Sequence, residues 1–229
     1  MASQSGLRER KKQRTRQLIF ETASRLFAER GFDAVTVAEV ARAADVSEVT
    51  VFNYFPTKED LFFGGMEFFE ERLLEAVQQR APGESALTAF RRLILDSSSR
   101  LAAPETADVT ERAATLIGAS PALQSRERET VARYIERLAR LLALETGARP
   151  EDVEPWAVAS ALMGAHRALV AYVRRRVLAG RRGRQLVTEA RSQGTRAFAR
   201  LEGGLADYAV KRPLPARRGG RGGDEQAGL

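Results

Sequence analysis

The chain has 229 residues, no cysteine, and 37 Lys and Arg against 30 Asp and Glu, for a formal net charge of +7. That length allows one or two domains with a sizeable core, the positive balance favours polyanionic partners, and the lack of cysteine excludes disulfides and thiol chemistry. No apolar run reads as long enough to span a bilayer and no signal-peptide core opens the chain, so the expectation is a cytoplasmic protein with no membrane partner.

The first dozen residues are polar and basic, and Arg8, Arg10, Lys11, Lys12, Arg14 and Arg16 outnumber the single acid Glu9. This run reads either as a solvated tail or as an arm that neutralises phosphates or enters a minor groove. A first helix follows over 12–30. Leu18, Thr22 and Leu26 form one row and Ile19, Ala23 and Phe27 the next, with Gly31 as the stop.

The segment 36–58, TVAEVARAADVSEVTVFNYFPTK, is the most informative stretch. Thr36 and Glu39 have capping-box spacing, and Val35 and Val40 sit where a hydrophobic staple fixes the entry angle. Val37, Val40, Ala41 and Ala44 share one helix face. Asp45-Val46-Ser47 is a turn, with Asp45 in a left-handed conformation and Ser47 as the next N-cap. In the helix that follows, Val51 and Phe55 face inward. Glu48, Val49, Thr50, Phe52 and Asn53 are left outward or sideways. An outward Phe beside Thr and Asn suits a helix lying in a major groove, where polar groups bond base edges or phosphates and apolar groups touch thymine methyls. Together these features read as a DNA-binding helix-turn-helix.

Pro56 ends that helix, and Thr57 with Asp60 caps a fourth one over 58–80. Lys58 falls in its first turn, where a phosphate is favoured. Leu61, Phe62, Met66, Phe69, Leu73 and Val77 make its apolar stripe, and Gly64-Gly65 inside it marks either close packing or a hinge. Ala81-Pro82-Gly83-Glu84 breaks the chain at the expected domain boundary. Five more helices follow, over 85–101, 104–117, 121–146, 152–179 and 184–208. Ala157, Ala161, Gly164, Ala165 and Ala168 line one face of the fourth of these, which suits a dimer seam or a tight core. Arg174, Arg175, Arg176, Arg181, Arg182 and Arg184 cluster near the following loop, read either as a solvated loop or as a second nucleic-acid surface. The tail over 211–229, rich in Gly, Pro and Arg, is expected to be disordered.

Residues 36–61 resemble the tetracycline-repressor (TetR) family of bacterial transcription regulators. The matching positions are Thr36, Val40, Ala41, Ala44, Val46, Ser47, Thr50, Phe52, Tyr54, Phe55, Lys58 and Leu61. Two positions depart: Asp45 stands where Gly is usual, and Phe52 where Tyr is common. The resemblance implies an all-α fold of about nine helices, with DNA contacts from Arg16, Thr36, Ser47, Glu48, Val49, Thr50, Phe52, Asn53, Tyr54 and Lys58. It divides the chain into a reading domain over 1–57, a connecting helix over 58–83, a ligand-binding and dimerisation domain over 84–210, and the tail over 211–229. It further implies a homodimer paired through the last two long helices, a pseudo-palindromic site on double-stranded DNA, and an unidentified small-molecule effector. Candidate effector-lining residues are Phe90, Ile94, Tyr134, Leu138, Trp156, Met163 and His166; the last reads as a core residue, a ligand donor or a dimer contact. The function expected is a ligand-responsive repressor, with a constitutive DNA binder as the alternative. An enzyme is not expected, since no nucleophile–base pair, paired-carboxylate motif, phosphate loop or metal-ligand spacing is present; neither metal nor cofactor is foreseen.

Overall fold

Helix is the only regular structure among the described residues, which are 2–64, 67–149 and 151–211 of a computed structural model. Ten α-helices follow in order: α1 Ala2–Arg30, α2 Val37–Ala43, α3 Glu48–Tyr54, α4 Lys58–Phe63, α5 Glu67–Gln78, α6 Ala86–Ser97, α7 Pro104–Ala119, α8 Pro121–Thr146, α9 Val153–Leu178 and α10 Gly183–Leu205. A 3-10 segment, Ser98–Ala102, joins α6 to α7. Local chemistry accounts for most of the ends. Ser85 and Ser120 cap α6 and α8, Pro104 and Pro121 open α7 and α8, and Gly147 stops α8 at φ 72°.

The helix expected over 58–80 ends at Phe63 and resumes at Glu67, which turns nine expected helices into ten. Gly64 explains the close fit at this point. A Cβ there would lie 2.7 Å from Phe55 Cε1 and 3.0 Å from the Asp60 carbonyl oxygen, a space that only hydrogen fills. Gly64 therefore follows the packing reading, while Gly65 and Met66 lie outside the described residues. The first helix also begins earlier than the expected residue 12, since α1 extends back to Ala2 through the N-terminal basic run.

Two apolar cores organise the helices. The first holds Ile19, Ala23, Phe27, Phe32, Val35, Val40, Val51, Phe55 and Leu61 from the N-terminal helices. Ile117 of α7 and Leu123 of α8 are buried in the same cluster, so the reading unit is docked against the rest of the chain and not merely tethered. Polar ties reinforce the joint. Arg126 Nη2 donates to Asp60 Oδ1 at 2.6 Å, and Ser120 Oγ donates to Asp33 Oδ1 at 2.9 Å. The second core gathers Leu73, Val77, Phe90, Ile94, Leu138, Leu142, Leu162, Met163, Val177, Leu186 and Phe198 from α5, α6 and α8–α10. Of the row Leu18, Thr22 and Leu26, Leu18 is 48% exposed while the other two are buried.

By length and composition alone α9 could cross a membrane, which corrects the sequence expectation. Its Val158, Leu162, Met163, Leu169, Val173 and Val177 are instead buried in the second core. The opposite face exposes Ala157, Gly164 and Ala168. The loop arginines are less free than their clustering implied. Arg174 grips Glu127 through two bonds of 2.5 and 3.1 Å, Arg176 meets Glu189 at 2.8 Å, and Arg182 bonds Glu111. The tail beyond Lys211 lies outside the described residues. Lys211 itself is held: its N–H donates to the Glu84 carbonyl at 3.3 Å and its Nζ to the Gln78 carbonyl at 2.8 Å.

Candidate nucleic-acid interface

Thr36 caps α2 as its spacing predicts. The Glu39 N–H donates to Thr36 Oγ1 at 3.2 Å, and the Thr36 N–H donates to Glu39 Oε2 at 2.8 Å. Thr36 Oγ1 also donates to Glu39 Oε2 at 2.9 Å, so its one hydroxyl proton is already engaged. Arg30 reaches the other carboxylate oxygen at 2.8 Å. The Thr36 backbone N–H and then Arg30 hold the Glu39 carboxyl down to about 2. One carboxylate thus ties the end of α1 to the start of α2, a link that the Thr-x-x-Glu spacing announces only in part.

The turn between α2 and α3 follows from its residues. Asp45 sits at φ 53°, in the left-handed region that Asp tolerates. The Val46 N–H donates back to the Ala41 carbonyl at 3.0 Å, and half-buried Val46 packs against the first core. Ser47 then caps α3: its Oγ accepts from the Thr50 N–H at 3.1 Å and shares a 2.8 Å bond with Thr50 Oγ1.

This arrangement gives α3 two unlike faces. Val51 is fully buried, and Phe55 just beyond the helix is 2% exposed. On the other side Val49 is 68% and Phe52 46% exposed, with Glu48 and Asn53 also open to solvent. Thr50 and Tyr54 are half-buried at the edges. Val49 and Phe52 thus leave apolar surface open to water, flanked by Thr50 and Asn53.

Lys58 and Arg16 are placed differently from the simple expectation of free cations. Lys58 Nζ lies 4.3 Å from the centre of the Phe32 ring. Partial burial lowers its pKa, against the opposing pull of Asp33, Glu59 and Glu39. Arg16 lies 5.1 Å over the Phe55 ring and donates to the Gly64 carbonyl at 3.1 Å. Arg16 therefore braces the ends of α3 and α4. Sequence reasoning passed over Arg42, an exposed cation in the last turn of α2 whose outward place the helical period of Val37, Val40 and Ala41 already implied.

The candidate effector residues divide. Tyr134, Met163 and His166 line a cavity of about 370 Å³, joined by Phe69, Thr130 and Val170. Ile94 lines an adjoining hollow of about 200 Å³ that shares Phe69 and His166. Phe90 and Leu138 are fully buried in the core. Trp156 is 39% exposed and lines neither space, because it lies on the outer side of α9. His166 stacks on Phe69 with ring centres 4.9 Å apart, and its Nδ1 is buried without a hydrogen-bond partner among the described residues. Burial, aided by the Arg174 charge, pushes its pKa down to about 4, so the ring is neutral at pH 7.

Comparison with known proteins fits this geometry. The family model for bacterial regulatory proteins of the tetR family matches residues 19–64, and that for the MftR C-terminal domain matches residues 84–206. The chain is 35% identical over 85 residues to the HTH-type transcriptional regulator TcmR of Streptomyces glaucescens, a match spanning 37% of this chain and 38% of that protein. It is 28% identical over 170 residues to MftR of Mycobacterium tuberculosis, spanning 71% of this chain and 80% of that one. Its fold is similar to that of NalD, the secondary repressor of the MexAB-OprM multidrug efflux pump in Pseudomonas aeruginosa, with a TM-score of 0.55 at 22% identity over 82% of this chain and 96% of that one. The chain belongs to the tetR family of bacterial regulatory proteins and is a DNA-binding regulator of transcription.

Proposed function

We propose that this regulator is a cytoplasmic, ligand-responsive repressor that binds a pseudo-palindromic operator as a homodimer. The observation that carries the reading is the outward face of α3, where Val49, Phe52 and Asn53 stand exposed on a helix whose other face is core. A major groove admits one such helix. In this reading Val49 and Phe52 touch thymine methyls, Thr50 and Asn53 bond base edges, and Ser47 and Glu48 lie at the entering end. Thr36, Tyr54, Lys58 and Arg16 contact flanking phosphates, with Thr36 turning its hydroxyl proton away from Glu39 and Lys58 and Arg16 leaving part of their aromatic seats to do so. The reading domain is 1–57, the connection 58–83, the ligand-binding and dimerisation domain 84–210, and the tail 211–229 adds non-specific attraction for phosphate.

The exposed small residues of α9 support pairing of α9 and α10 with their copies. Such a pair presents two α3 helices about 34–36 Å apart, one helical turn of DNA. An effector held beside Tyr134, Met163 and His166 favours another head spacing, and by linkage DNA weakens effector binding by the same factor. Selection of random duplexes by the purified full chain tests the core of this reading. Inverted repeats with half-site centres one turn apart are expected; retained DNA without inverted symmetry, or none at moderate salt, overturns it. Screening compounds for release of the selected DNA then separates the responsive repressor from a constitutive binder, which no compound releases.

A further inference from the structure

We propose a second ligand site, in the groove between the reading head and α7, that takes an amphipathic monoanion: a flat apolar body carrying one carboxylate. The groove meets the His166 cavity only at Arg174, which lines both, and encloses about 660 Å³, within the roughly 300–1,000 Å³ of small-molecule sites. One wall comes from α1 and α4, through Phe20, Phe27, Phe62 and Phe63. The rings form a continuous surface, with Phe27 and Phe62 centres 6.5 Å apart and Phe62 and Phe63 meeting edge-on at 4.9 Å. The other wall is α7, where Val109 is 57% exposed beside Leu116. An apolar groove of this size open to water is unfavourable unless something occupies it, and aromatic walls favour a flat ring system.

Charge selects the ligand's head. Three arginines rim the groove: Arg25, Arg112 and Arg174. Arg25 is paired with Glu29 at 3.3 Å, and Arg174 is held by Glu127. Arg112 is exposed and has no hydrogen-bond or ion-pair partner among the described residues. The nearby acids Asp108 and Glu111 are engaged by Arg182. The groove therefore offers one uncommitted guanidinium beside an apolar floor, which matches one carboxylate on an apolar body. Because the two walls belong to the reading head and to the helical domain, an occupant bridges them and fixes their relative position.

Titration calorimetry of the full chain at pH 7 with 2-naphthoate and with the uncharged 2-naphthalenemethanol tests the assignment. Naphthoate is expected to bind about tenfold or more tighter than the alcohol, the ratio for one hydrogen bond to a charged group. Arg112→Gln should bring the two ligands within about twofold of each other, and Val109→Asp, at an exposed position, should weaken naphthoate further by like-charge repulsion. Ala113→Trp should block both ligands, whereas Val131→Trp in the His166 cavity should leave both unchanged. If Ala113→Trp does not fold, as judged by circular dichroism, the two exposed variants decide. The site is overturned if wild type does not bind naphthoate, if Arg112→Gln and Val109→Asp bind it as wild type does, or if Val131→Trp abolishes binding. None of these readouts uses DNA, so failure here is distinct from failure of the operator reading.

Discussion

Arg80 is 2% exposed yet carries a full charge, and every part of its guanidinium is used. Nη2 meets Glu145 at 2.5 Å and the Ala209 carbonyl at 2.6 Å, Nε donates to the Glu84 carbonyl at 3.1 Å, and Nη1 donates to the Val77 carbonyl. One side chain thereby joins the end of α5, the last turn of α8 and the segment after α10. Removing it leaves acceptors unpaired and a void, so Arg80→Ala should destabilise the fold by about 3 kcal/mol in urea unfolding, with Arg80→Lys recovering only part. A loss under about 1 kcal/mol would mean water replaces the guanidinium at this spot. Two titrating residues, His166 and Glu39, make the fold acid-sensitive. His166 has a folded pKa near 4 against an ordinary 6.5, so the unfolded chain binds the extra proton between those values. Its contribution is unaffected above pH 6.5 and falls as pH drops toward 4, by up to about 3 kcal/mol. Glu39 is depressed from 4.5 to about 2, so its contribution is present above pH 4.5 and is lost as pH falls toward 2. His166→Phe should flatten the stability curve between pH 6.5 and 4 while leaving the loss below 4.5 in place. A variant as acid-sensitive as wild type across the upper window would show that His166 is not neutral and buried in the folded chain.

At the scale of elements, α2, α3 and their turn were legible almost residue by residue. Thr36, Ser47 and Thr57 are good caps, Asp45 tolerates positive φ, and Val51 and Phe55 share a face; each is a local rule acting over three or four residues. The break after α4 was not legible, because the apolar stripe continues through Phe62 and Phe69 and only the tertiary approach of Phe55 reveals why Gly64 is needed. Gly64→Ala should therefore cost about 1–3 kcal/mol by overpacking, read as a lower melting temperature of the full chain. An unchanged melting temperature would return Gly64 to the hinge reading. Cations could not be assigned from sequence either, since aromatic seats are tertiary. Lys58 rests on Phe32 and Arg16 on Phe55, and neither ring is a helical neighbour of its cation. These seats sharpen a comparison of two variants. Lys58→Ala should weaken binding to all duplexes alike and reduce the salt slope by about one phosphate. Asn53→Ala should leave the slope in place and change preference by about 1–3 kcal/mol at one base position. Filter-binding titrations at several salt concentrations on operator variants distinguish the two; a uniform loss for Asn53→Ala would move that residue to the backbone.

For the whole molecule, the general architecture followed from helical periods, capping residues and a family resemblance, but the joint between the two cores did not. Ile117 and Leu123 read as ordinary apolar positions of their own helices, and nothing in their spacing says that they close the core of the reading unit. The outer side of α9 poses the reverse problem: its small residues are plain in the sequence, yet their use depends on a second copy. Ala157, Gly164 and Ala168 are exposed in the single chain, and a Cβ at Gly164 meets no atom within 4 Å. Ala168→Arg should then be nearly neutral for the fold of one chain, within about 0.5 kcal/mol, as for exposed positions generally. In a dimer built on this face the same arginine places two like charges and two long side chains in a seam made for methyl groups. Sedimentation should show the variant as a monomer at concentrations where wild type is dimeric. DNA binding should respond in step. Affinity for a single half-site should be unchanged, because α3 is untouched, while affinity for the full inverted repeat should fall about 100-fold or more as the second head loses its tether. A variant that stays dimeric and binds the full repeat as wild type does would move the seam to another face, and the head spacing would then have to be set by helices other than α9.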